Sequence, residues 1–305
     1  MPEPTCRARP GASSPIHCGR SRRRWGAVLT SIKNPRVAAA VRLHKRTFRE
    51  EARRFLVEGG QGVAEALEDP DRLSVVFSTD DLDPLAVRAR GSGVEAHHVN
   101  EAVMAKLTST VTPQGVVAVS AFVDVGLEQL GNGGCVAVLH EVRDPGNAGT
   151  VLRSADASGA SGVVFTSSSV DLYNPKTVRA SAGSLFHLPV VRGVPTAEVL
   201  EHLRRGGYRI LAMDARGADD LYDADLSDPL AFVFGNEAHG LPPEVREAAD
   251  RIVRVPQAGK AESLNLAAAA TVCLFERARR PEGPVCRSRP SSPRPPTTSA
   301  RRSRR

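Results

Sequence analysis

The sequence predicts an α/β protein in which a small α/β unit precedes a larger unit built on a mostly parallel sheet. Apolar runs of strand length alternate with helical segments through most of the chain, which is typical of layered α/β folds. In the larger unit these runs are nearly continuous in Val, Ile, Leu and Phe, as expected for strands covered on both faces. Polar, glycine-containing stretches follow three of them, and ligands bind at that edge of a parallel sheet.

Charge is distributed unevenly along the 305 residues. The chain carries +7, but residues 1–27 contribute +5 and residues 278–305 contribute +8, which leaves −6 for the part between them. The high isoelectric point therefore comes from the ends, and by itself it is poor evidence for nucleic-acid binding. We predict a disordered basic arm over 1–27 and a disordered Arg-, Pro- and Ser-rich tail over 280–305.

The composition argues against several classes of protein. None of the five cysteines has zinc-ligand spacing, so we predict no metal site and reduced thiols, as in the cytoplasm. No apolar run approaches the ~18 residues of a membrane-spanning helix, so no membrane association is predicted. Neither a P-loop nor a G-x-G-x-x-G pattern is present, which counts against a generic nucleotide-binding enzyme.

The first unit, over 28–110, is predicted to alternate short helices and strands. The predicted helices are NPRVAAAVRLHKR, GVAEALE and NEAVMAKLTS. The predicted strands are RFLVEG, RLSVVFS and VEAHHV. Residues 111–134 then form a linker with a connecting strand.

The second unit, over 135–279, is more regular. Its six predicted strands are CVAVLHEV, GVVFTS, LPVVRG, YRILAMDA, LAFVFGNE and RIVRVP. The predicted helices are NAGTVLRSADASG, NPKTVRASAGSL, TAEVLEHLRRGG, PPEVREAAD and SLNLAAAATVCLFERARR. Chemistry is expected in the polar stretches 144–153, 235–241 and 257–265, because each follows a strand.

In the first polar stretch, Asp144-Pro145-Gly146 predicts a turn and Asn147 a helix cap. Arg153 lies about 240° around that helix from Asn147, so the two share no stripe. A long Arg side chain can still swing towards the N-terminal end. A capped surface helix with an ordinary Arg is the alternative interpretation.

The stretch 235–241 contains a carboxylate, and the stretch 257–265 leads into the N-terminal end of the last predicted helix. Gly235 ends a strand where a ligand can approach the backbone closely, which places Glu237 beside it. The alternative is a tight connection with a solvated Glu, and His239 is predicted to be a turn residue. Ser263 is predicted to cap the last helix, with Asn265 in the first turn, where free N–H groups favour polar ligand atoms.

Together the three stretches resemble the motifs of the SpoU/TrmH family of RNA 2′-O-ribose methyltransferases. The matching residues are Asn147, Gly149, Arg153 and Ala155; Gly235, Glu237, Gly240 and Leu241; and Pro256, Ser263, Leu264 and Asn265. Gln257 stands where an apolar residue is usual. Residues 31–59 and 112–119 resemble the substrate-binding domain of the ribosomal-RNA branch, which includes thiostrepton-resistance methyltransferases.

The resemblance implies a deep trefoil knot of SPOUT type, a homodimer with shared active sites, and S-adenosyl-L-methionine as cofactor. The cofactor-binding residues that it implies are Met213, Gly235, Val255 and Leu264. The catalytic residues that it implies are Asn147, Arg153, Glu237, Ser263 and Asn265. The reaction would be methyl transfer to a ribose 2′-hydroxyl. An Arg pKa above ~12 favours Arg153 as a group that orients this hydroxyl, and a base role stays a hypothesis.

A basic segment supplies charge for RNA, because residues 31–56 carry a net +6. Four of its arginines recur at helical spacing, namely Arg42, Arg46, Arg49 and Arg53. We predict phosphate contacts from Lys33, Arg36, Arg42, Lys45, Arg46, Arg49 and Arg53. A solvated basic helix is the alternative. Aromatic residues make up 4% of the chain, so shape and phosphate contacts should outweigh base stacking.

Two alternatives to ribosomal-RNA methylation remain open. One is the same chemistry on transfer RNA, against which the N-terminal domain argues only by analogy. The other is a non-catalytic RNA-binding or ribosome-assembly factor on the same fold. The presence of all five implied catalytic residues argues against the second.

Overall fold

A computed structural model of the chain describes residues 27–131 and 133–280. The predicted basic arm and tail lie outside these residues, apart from residues 27 and 280 at their inner ends. Within the described part, no helix combines the length and apolarity needed to cross a membrane. The same residues contain no cluster of His, Cys, Asp and Glu that could hold a metal ion.

The first unit is built on a four-stranded sheet. Its elements are α1 (Pro35–Arg42), α2 (Arg46–Ala52), β1 (Arg54–Glu58), α3 (Gly60–Ala66), β2 (Leu73–Ser78), α4 (Pro84–Gly91), β3 (Glu95–His98), α5 (Glu101–Leu107) and β4 (Val116–Ala121). The strand order is β1-β4-β2-β3. Strand β4 runs antiparallel to β1 and β2, and β2 runs parallel to β3.

Two details differ from the sequence prediction. Strand β4 lies between β1 and β2, so the connecting strand placed in the linker is a central strand of the first unit. The predicted helix NPRVAAAVRLHKR ends at Arg42, and a turn separates it from α2, which begins at Arg46. The four arginines at helical spacing therefore do not share one helix.

The second unit is built on a seven-stranded, all-parallel sheet. Its elements are β5 (Cys135–Leu139), α6 (Pro145–Ala157), β6 (Gly162–Thr166), α7 (Pro175–Ser181), β7 (Val190–Val194), α8 (Thr196–Arg205), β8 (Arg209–Met213), β9 (Asp219–Asp220), β10 (Leu230–Phe234), α9 (Pro243–Glu247), β11 (Arg251–Arg254) and α10 (Leu266–Arg279). The order is β7-β6-β5-β10-β8-β11-β9. The predicted α/β class, parallel sheet and six strands are confirmed, and only the two-residue β9 was not predicted.

Helices cover both faces of this sheet, which explains the continuous apolar runs. Alternate residues of β10 pack into different cores: Leu230, Phe232 and Phe234 join the one that includes α6 and α10, and Ala231 and Val233 join the one that includes α8 and α9. All five are buried. Each large apolar side chain buried in this way contributes about 1.5–3 kcal/mol.

Helices α6 and α7 pack unusually closely. A Cβ on Gly149 of α6 would lie 2.4 Å from the carbonyl oxygen of Thr177 and 2.5 Å from the Cβ of Ala180, both on α7. No side chain fits there without moving backbone. Glycine is therefore required at residue 149 for this packing.

Buried or half-buried ion pairs join the two units. The Arg49 side chain from α2 is 4% exposed and pairs with Asp171 of the second unit, which is 8% exposed. Arg192 of β7 donates to both carboxylate oxygens of Glu50, at 2.8 and 3.1 Å. Such bidentate pairs hold a fixed geometry, so they fix the first unit on the second.

His187 forms a second kind of link between the units. Its Nε2 lies 3.1 Å from Glu65 of α3, and its Nδ1 lies 2.8 Å from Asp156 of α6. Burial alone would lower the pKa of His187, but the hydrogen bonds to Asp156 and Glu65 outweigh it and raise that pKa above its ordinary value. The charged imidazole is therefore the form that bridges the two carboxylates.

Candidate active site

A cavity of about 1020 Å³ opens at the carboxyl ends of β8, β10 and β11. Its walls come from the start of α6, the loop after β10 and the segment before α10. These are the three polar stretches singled out in the sequence, and Asn147, Glu237 and Asn265 all line the cavity. Parallel pairing of the strands brings these separate stretches to one edge.

The start of α6 frees Asn147 for this cavity. Asp144, rather than Asn147, is the N-cap, and its Oδ1 accepts a hydrogen bond from the Asn147 backbone N–H at 2.8 Å. Pro145 occupies the first helical position, where its missing N–H costs nothing. The N-cap of α6 is therefore Asp144, three residues before the predicted Asn147. The Asn147 side chain does not cap the helix and is free to face the cavity.

Three side chains form a hydrogen-bonded row across the cavity. Asn265 Nδ2 donates to Asn147 Oδ1 at 3.0 Å, and Asn147 Nδ2 donates to Glu237 Oε1 at 3.1 Å. A carboxylate can only accept, so Glu237 dictates which way the Asn147 amide faces. Each Asn retains one side-chain N–H that can donate to a bound oxygen atom.

Glu237 is held as a carboxylate. Its Oε2 accepts from the Arg143 backbone N–H at 3.0 Å, and its Oε1 accepts from that of Asp144 at 3.1 Å. Burial raises the pKa of Glu237, but these bonds and the one from Asn147 outweigh it and hold the pKa below its ordinary value. The group therefore serves as an acceptor that organises the start of α6.

The N-cap of α10 also differs from the prediction. Asn265 is the N-cap, and its Oδ1 accepts from the backbone N–H groups of Ala267 at 2.9 Å and Ala268 at 3.3 Å. Those bonds leave Nδ2 as the group that faces Asn147. Ser263 lies two residues before the cap, exposed on the cavity wall, so it does not begin the helix as predicted.

The loop after β10 depends on glycine. Asn236 and Gly240 exchange backbone hydrogen bonds of 3.0 and 2.8 Å, which folds the loop back on itself. A Cβ on Gly235 would lie 2.4 Å from the carbonyl carbon of Gly240 and 2.7 Å from the backbone nitrogen of Leu241. The His239 backbone N–H donates to Asn236 Oδ1 at 3.3 Å, which places His239 in the turn.

The residues predicted to bind the cofactor also line the cavity. They are Met213, Gly235, Val255 and Leu264. Gln257 adds a feature that sequence reasoning noted only as a departure from a usual apolar residue. Its Oε1 is buried at the cavity wall and has no hydrogen-bond partner among the described residues, so it can accept from an N–H or O–H of a bound molecule.

Arg153 is the predicted catalytic residue that the cavity does not include. It is exposed on α6, about 9 Å along the helix from Asn147 and on a different side of it. It forms no ion pair within residues 27–131 and 133–280. Lys176 is not among the predicted residues, yet its Nζ lies 3.2 Å from Oδ2 of Asp144, which lines the cavity.

The basic segment divides into one internal and six surface residues. Arg49 is buried, donates to the Leu43 carbonyl at 2.7 Å and pairs with Asp171. The prediction that Arg49 contacts RNA is therefore corrected: it joins the two units. The exposed residues are Lys33, Arg36, Arg42, Lys45, Arg46 and Arg53. Of these, Arg36 pairs with Glu95 at 2.7 Å.

Comparison with known protein families matches both units. Residues 134–275 match the SpoU rRNA Methylase family. Residues 34–118 match the MRM3-like substrate binding domain, a range that includes the first half of β4.

Individual relatives match over most of their length. The chain is 32% identical, over 81% of itself and 97% of the relative, to the 23S rRNA (guanosine(2553)-2′-O)-methyltransferase RlmP of Bacillus subtilis. An AdoMet-bound rRNA methyltransferase from Sinorhizobium meliloti aligns with a TM-score of 0.74 and 34% identity, over 82% of this chain and 97% of that one. The SpoU methyltransferase AviRb from Streptomyces viridochromogenes, in complex with AdoMet, aligns with a TM-score of 0.74 and 31% identity, over 81% of this chain and 98% of that one.

Proposed function

The chain belongs to the SpoU rRNA methylase family, and from this we propose that it methylates a ribose 2′-hydroxyl in ribosomal RNA with S-adenosylmethionine. The observation that carries the proposal is the row Asn265–Asn147–Glu237 in a cavity lined by all four residues predicted to bind the cofactor. Relatives that align over most of this chain are named as 23S rRNA 2′-O-methyltransferases or as AdoMet-bound rRNA methyltransferases. We propose the cytoplasm, where ribosomal RNA is made and modified in bacteria, as its location.

The cavity fits S-adenosylmethionine in size and chemistry. A volume of about 1020 Å³ is at the upper end of the ~300–1,000 Å³ typical of small-molecule sites. Met213, Val255 and Leu264 offer apolar contacts, Gly235 leaves backbone open, and the unpaired Gln257 oxygen can accept from an amino group of the cofactor. When bound, S-adenosylmethionine supplies a methyl group on a sulfonium, which is already a good leaving group.

The protein's own task is to hold the ribose and stabilise its oxygen as the proton leaves. The remaining N–H groups of Asn147 and Asn265 can donate to oxygens of the target nucleotide. Holding both amides rigidly in advance lowers the entropy cost of alignment. Ser263 adds a hydroxyl on the same wall.

We assign to Arg153 the orientation of the 2′-hydroxyl and the stabilisation of its developing negative charge. A guanidinium does this without losing its proton. Because Arg153 is exposed and outside the cavity of its own chain, it would serve the cavity of a second copy. The position of Arg153 thus supports the homodimer that the family resemblance implies. Phe275 on neighbouring α10 is half-exposed and offers an apolar contact for the partner.

The dimer has a sharp test. An Asn147→Ala variant and an Arg153→Ala variant should each be inactive alone, and mixing them should restore part of the activity if each site combines residues of two chains. Equal inactivity of the mixture, with heterodimers shown to form, would remove the shared site.

A trefoil knot is the further element of the proposal. Strand β10 lies between β5 and β8, and β11 lies beyond β8, yet α10 returns to pack against α6 and β10. A Cβ on Gly217, in the loop after β8, would lie 2.8 Å from the Ile252 carbonyl oxygen and 2.9 Å from the Arg254 nitrogen. This contact lies beside the parallel pairing of β9 with β11, so the knot in this proposal rests on the family resemblance.

The two units divide the work in this proposal. The first unit would bind RNA through its exposed basic residues, and residues 135–279 would carry out methyl transfer. The phosphate contacts are proposed for Lys33, Arg36, Arg42, Lys45, Arg46 and Arg53. Such contacts make binding fall steeply with salt.

The deciding experiment is a map of 2′-O-methyl groups in total RNA from wild-type and deletion strains. The proposal expects one ribosomal-RNA position to lose its methyl group on deletion and to regain it when the gene is restored. Loss at a transfer-RNA position would favour the alternative substrate. No lost position in either RNA would refute methylation and favour the assembly-factor alternative.

A further inference from the structure

A second, smaller cavity lies between the two units. It has a volume of about 190 Å³ and is formed by the β1–α3 turn and the loop after α5 on one side and by the end of α7 on the other. Val57, Val178 and Phe186 give it apolar walls, and Gln61, Thr110 and Thr112 give it hydrogen-bonding groups. None of these residues lines the larger cavity.

Arg179 is the cation of this cavity, and it is held in place from behind. Its Nη1 donates to Glu58 Oε2 at 3.1 Å, and the Glu58 side chain is only 4% exposed. Glu58 Oε1 is occupied by the N–H and hydroxyl of Ser109, at 3.0 and 2.9 Å. The Nε and Nη2 of Arg179 make no hydrogen bond with any residue of 27–131 or 133–280. They are oriented donors without an acceptor.

Helix α7 lies between the Asp144 carboxylate, on the wall of the larger cavity, and the smaller cavity. Lys176 in its first turn pairs with Asp144, which lines the larger cavity, and Arg179 in its last turn lines the smaller one. Residues three apart lie on the same side of a helix, with Cβ atoms ~5–6 Å apart. Lys176 and Arg179 therefore form a pair of cations on one side of α7, the Lys176–Arg179 ridge, which runs from the Asp144 carboxylate to the smaller cavity.

The geometry points to a second nucleotide of the RNA substrate as the occupant of the smaller cavity, with its phosphate on the Lys176–Arg179 ridge. A volume of 190 Å³ is below the ~300 Å³ at which small-molecule sites begin, but it accommodates a single base. Apolar walls with the Phe186 ring, together with side-chain amides and hydroxyls, are what recognises an unstacked base. This inference rests on the proposed function.

The length of α7 gives the expected separation of the two nucleotides, because Lys176 pairs with a residue of the larger cavity and Ser181 lines the smaller one. From Lys176 to Ser181, which also lines the smaller cavity, α7 rises ~7.5 Å. At the ~3.4 Å per nucleotide of a stacked strand, that corresponds to about two nucleotides, and to fewer where the bases are unstacked. The second nucleotide is therefore expected within three positions of the methylated one.

Blocking the cavity tests the assignment. Thr112 and Gln61 are exposed at its rim, so Thr112→Trp and Gln61→Trp should fill it without disturbing the fold. We expect binding of unmodified, transcribed 23S rRNA to weaken about tenfold to hundredfold, since one stacked base contributes that much. The affinity for S-adenosylmethionine should not change. Leu82→Trp, at a surface position of the same unit that is 75% exposed, is the matched control.

Abasic RNA distinguishes this cavity from general RNA binding. Single abasic nucleotides are placed in turn at each position within three of the mapped target. At one of these positions the missing base should lower the RNA affinity of the wild-type enzyme but not that of the Thr112→Trp variant. Equal loss in both proteins at every position, or full RNA affinity in both Trp variants, would overturn the second nucleotide site. Those results leave the proposed function intact, whereas a wild-type enzyme that methylates no ribosomal RNA overturns both.

Discussion

Glu237→Gln is the most informative single change, because it keeps the shape of the side chain and removes only the charge. Glu237 accepts three hydrogen bonds, from the backbone N–H groups of Arg143 and Asp144 and from Asn147 Nδ2. A glutamine oxygen can keep the bonds of Oε1, but its NH₂ group would then face the Arg143 N–H, which is also a donor. The Asn147 amide would keep only a neutral acceptor, which holds its direction less firmly than the carboxylate does.

The expected loss follows from these three bonds. Hydrogen bonds to a charged acceptor contribute about 1.5–3 kcal/mol and neutral ones about 0.5–1.5 kcal/mol. Because Glu237 is exposed to solvent, values near the lower limits apply. One bond lost and two weakened then amount to about 3.5 kcal/mol, which corresponds to roughly a four-hundredfold fall in kcat/KM.

The assay is single-turnover transfer of labelled methyl groups to the mapped RNA, with cofactor affinity measured by calorimetry. Glu244→Gln, at an exposed position on α9 away from the cavity, is the control and should behave as wild type. The pKa of Glu237 is lowered in the folded protein. Its charge therefore stabilises the fold fully above the unfolded pKa of 4.5, and this stabilisation is lost as the pH falls through the lower folded pKa. Near-normal turnover of Glu237→Gln would refute the idea that the carboxylate organises Asn147.

Three other predictions concern stability and cofactor binding. Arg49→Ala should lower the free energy of unfolding by about 3–5 kcal/mol, because it leaves the Asp171 charge buried and unpaired; denaturant titration measures this, and an effect on RNA affinity alone would contradict it. Gly235→Ala should weaken cofactor binding at least tenfold in calorimetry, because its Cβ would meet the Gly240 backbone at 2.4 Å; unchanged affinity would mean that the loop shifts freely. The raised pKa of His187 predicts a stabilisation that is full below its unfolded pKa of ~6.5 and lost as the pH rises through the folded value. His187→Gln should therefore flatten the rise of melting temperature on going from pH 8.5 to pH 6, and an unchanged slope would show that the bridge adds nothing.

Much of the fold could be predicted because its signals are local. The strands β5, β6, β8 and β10 are short apolar runs buried on both faces, so their length and their content of β-branched and aromatic residues identify them. Strand β4 was recognised as a strand but assigned to a linker. Its pairing with both β1 and β2 is non-local, and no spacing in the sequence shows which strands become neighbours.

The candidate site could be predicted in outline but not in its hydrogen bonds. Asp144 and Asn147 are both good capping residues, and the choice between them depends on Pro145, which fits the first helical position. The burial of Arg49 depends on Asp171, which lies far along the sequence in the other unit. A charged residue at helical spacing looks the same whether its partner is solvent or a distant carboxylate.

The contact at Gly149 has a consequence for substrate choice. The α7 backbone lies so close to this glycine that α6 and α7 have no room to slide past one another. The larger cavity, lined by the start of α6, and the smaller one, lined by the end of α7, are thus held at a constant separation. The protein would therefore select an RNA by the distance between two of its nucleotides as well as by the fit of either nucleotide in its cavity.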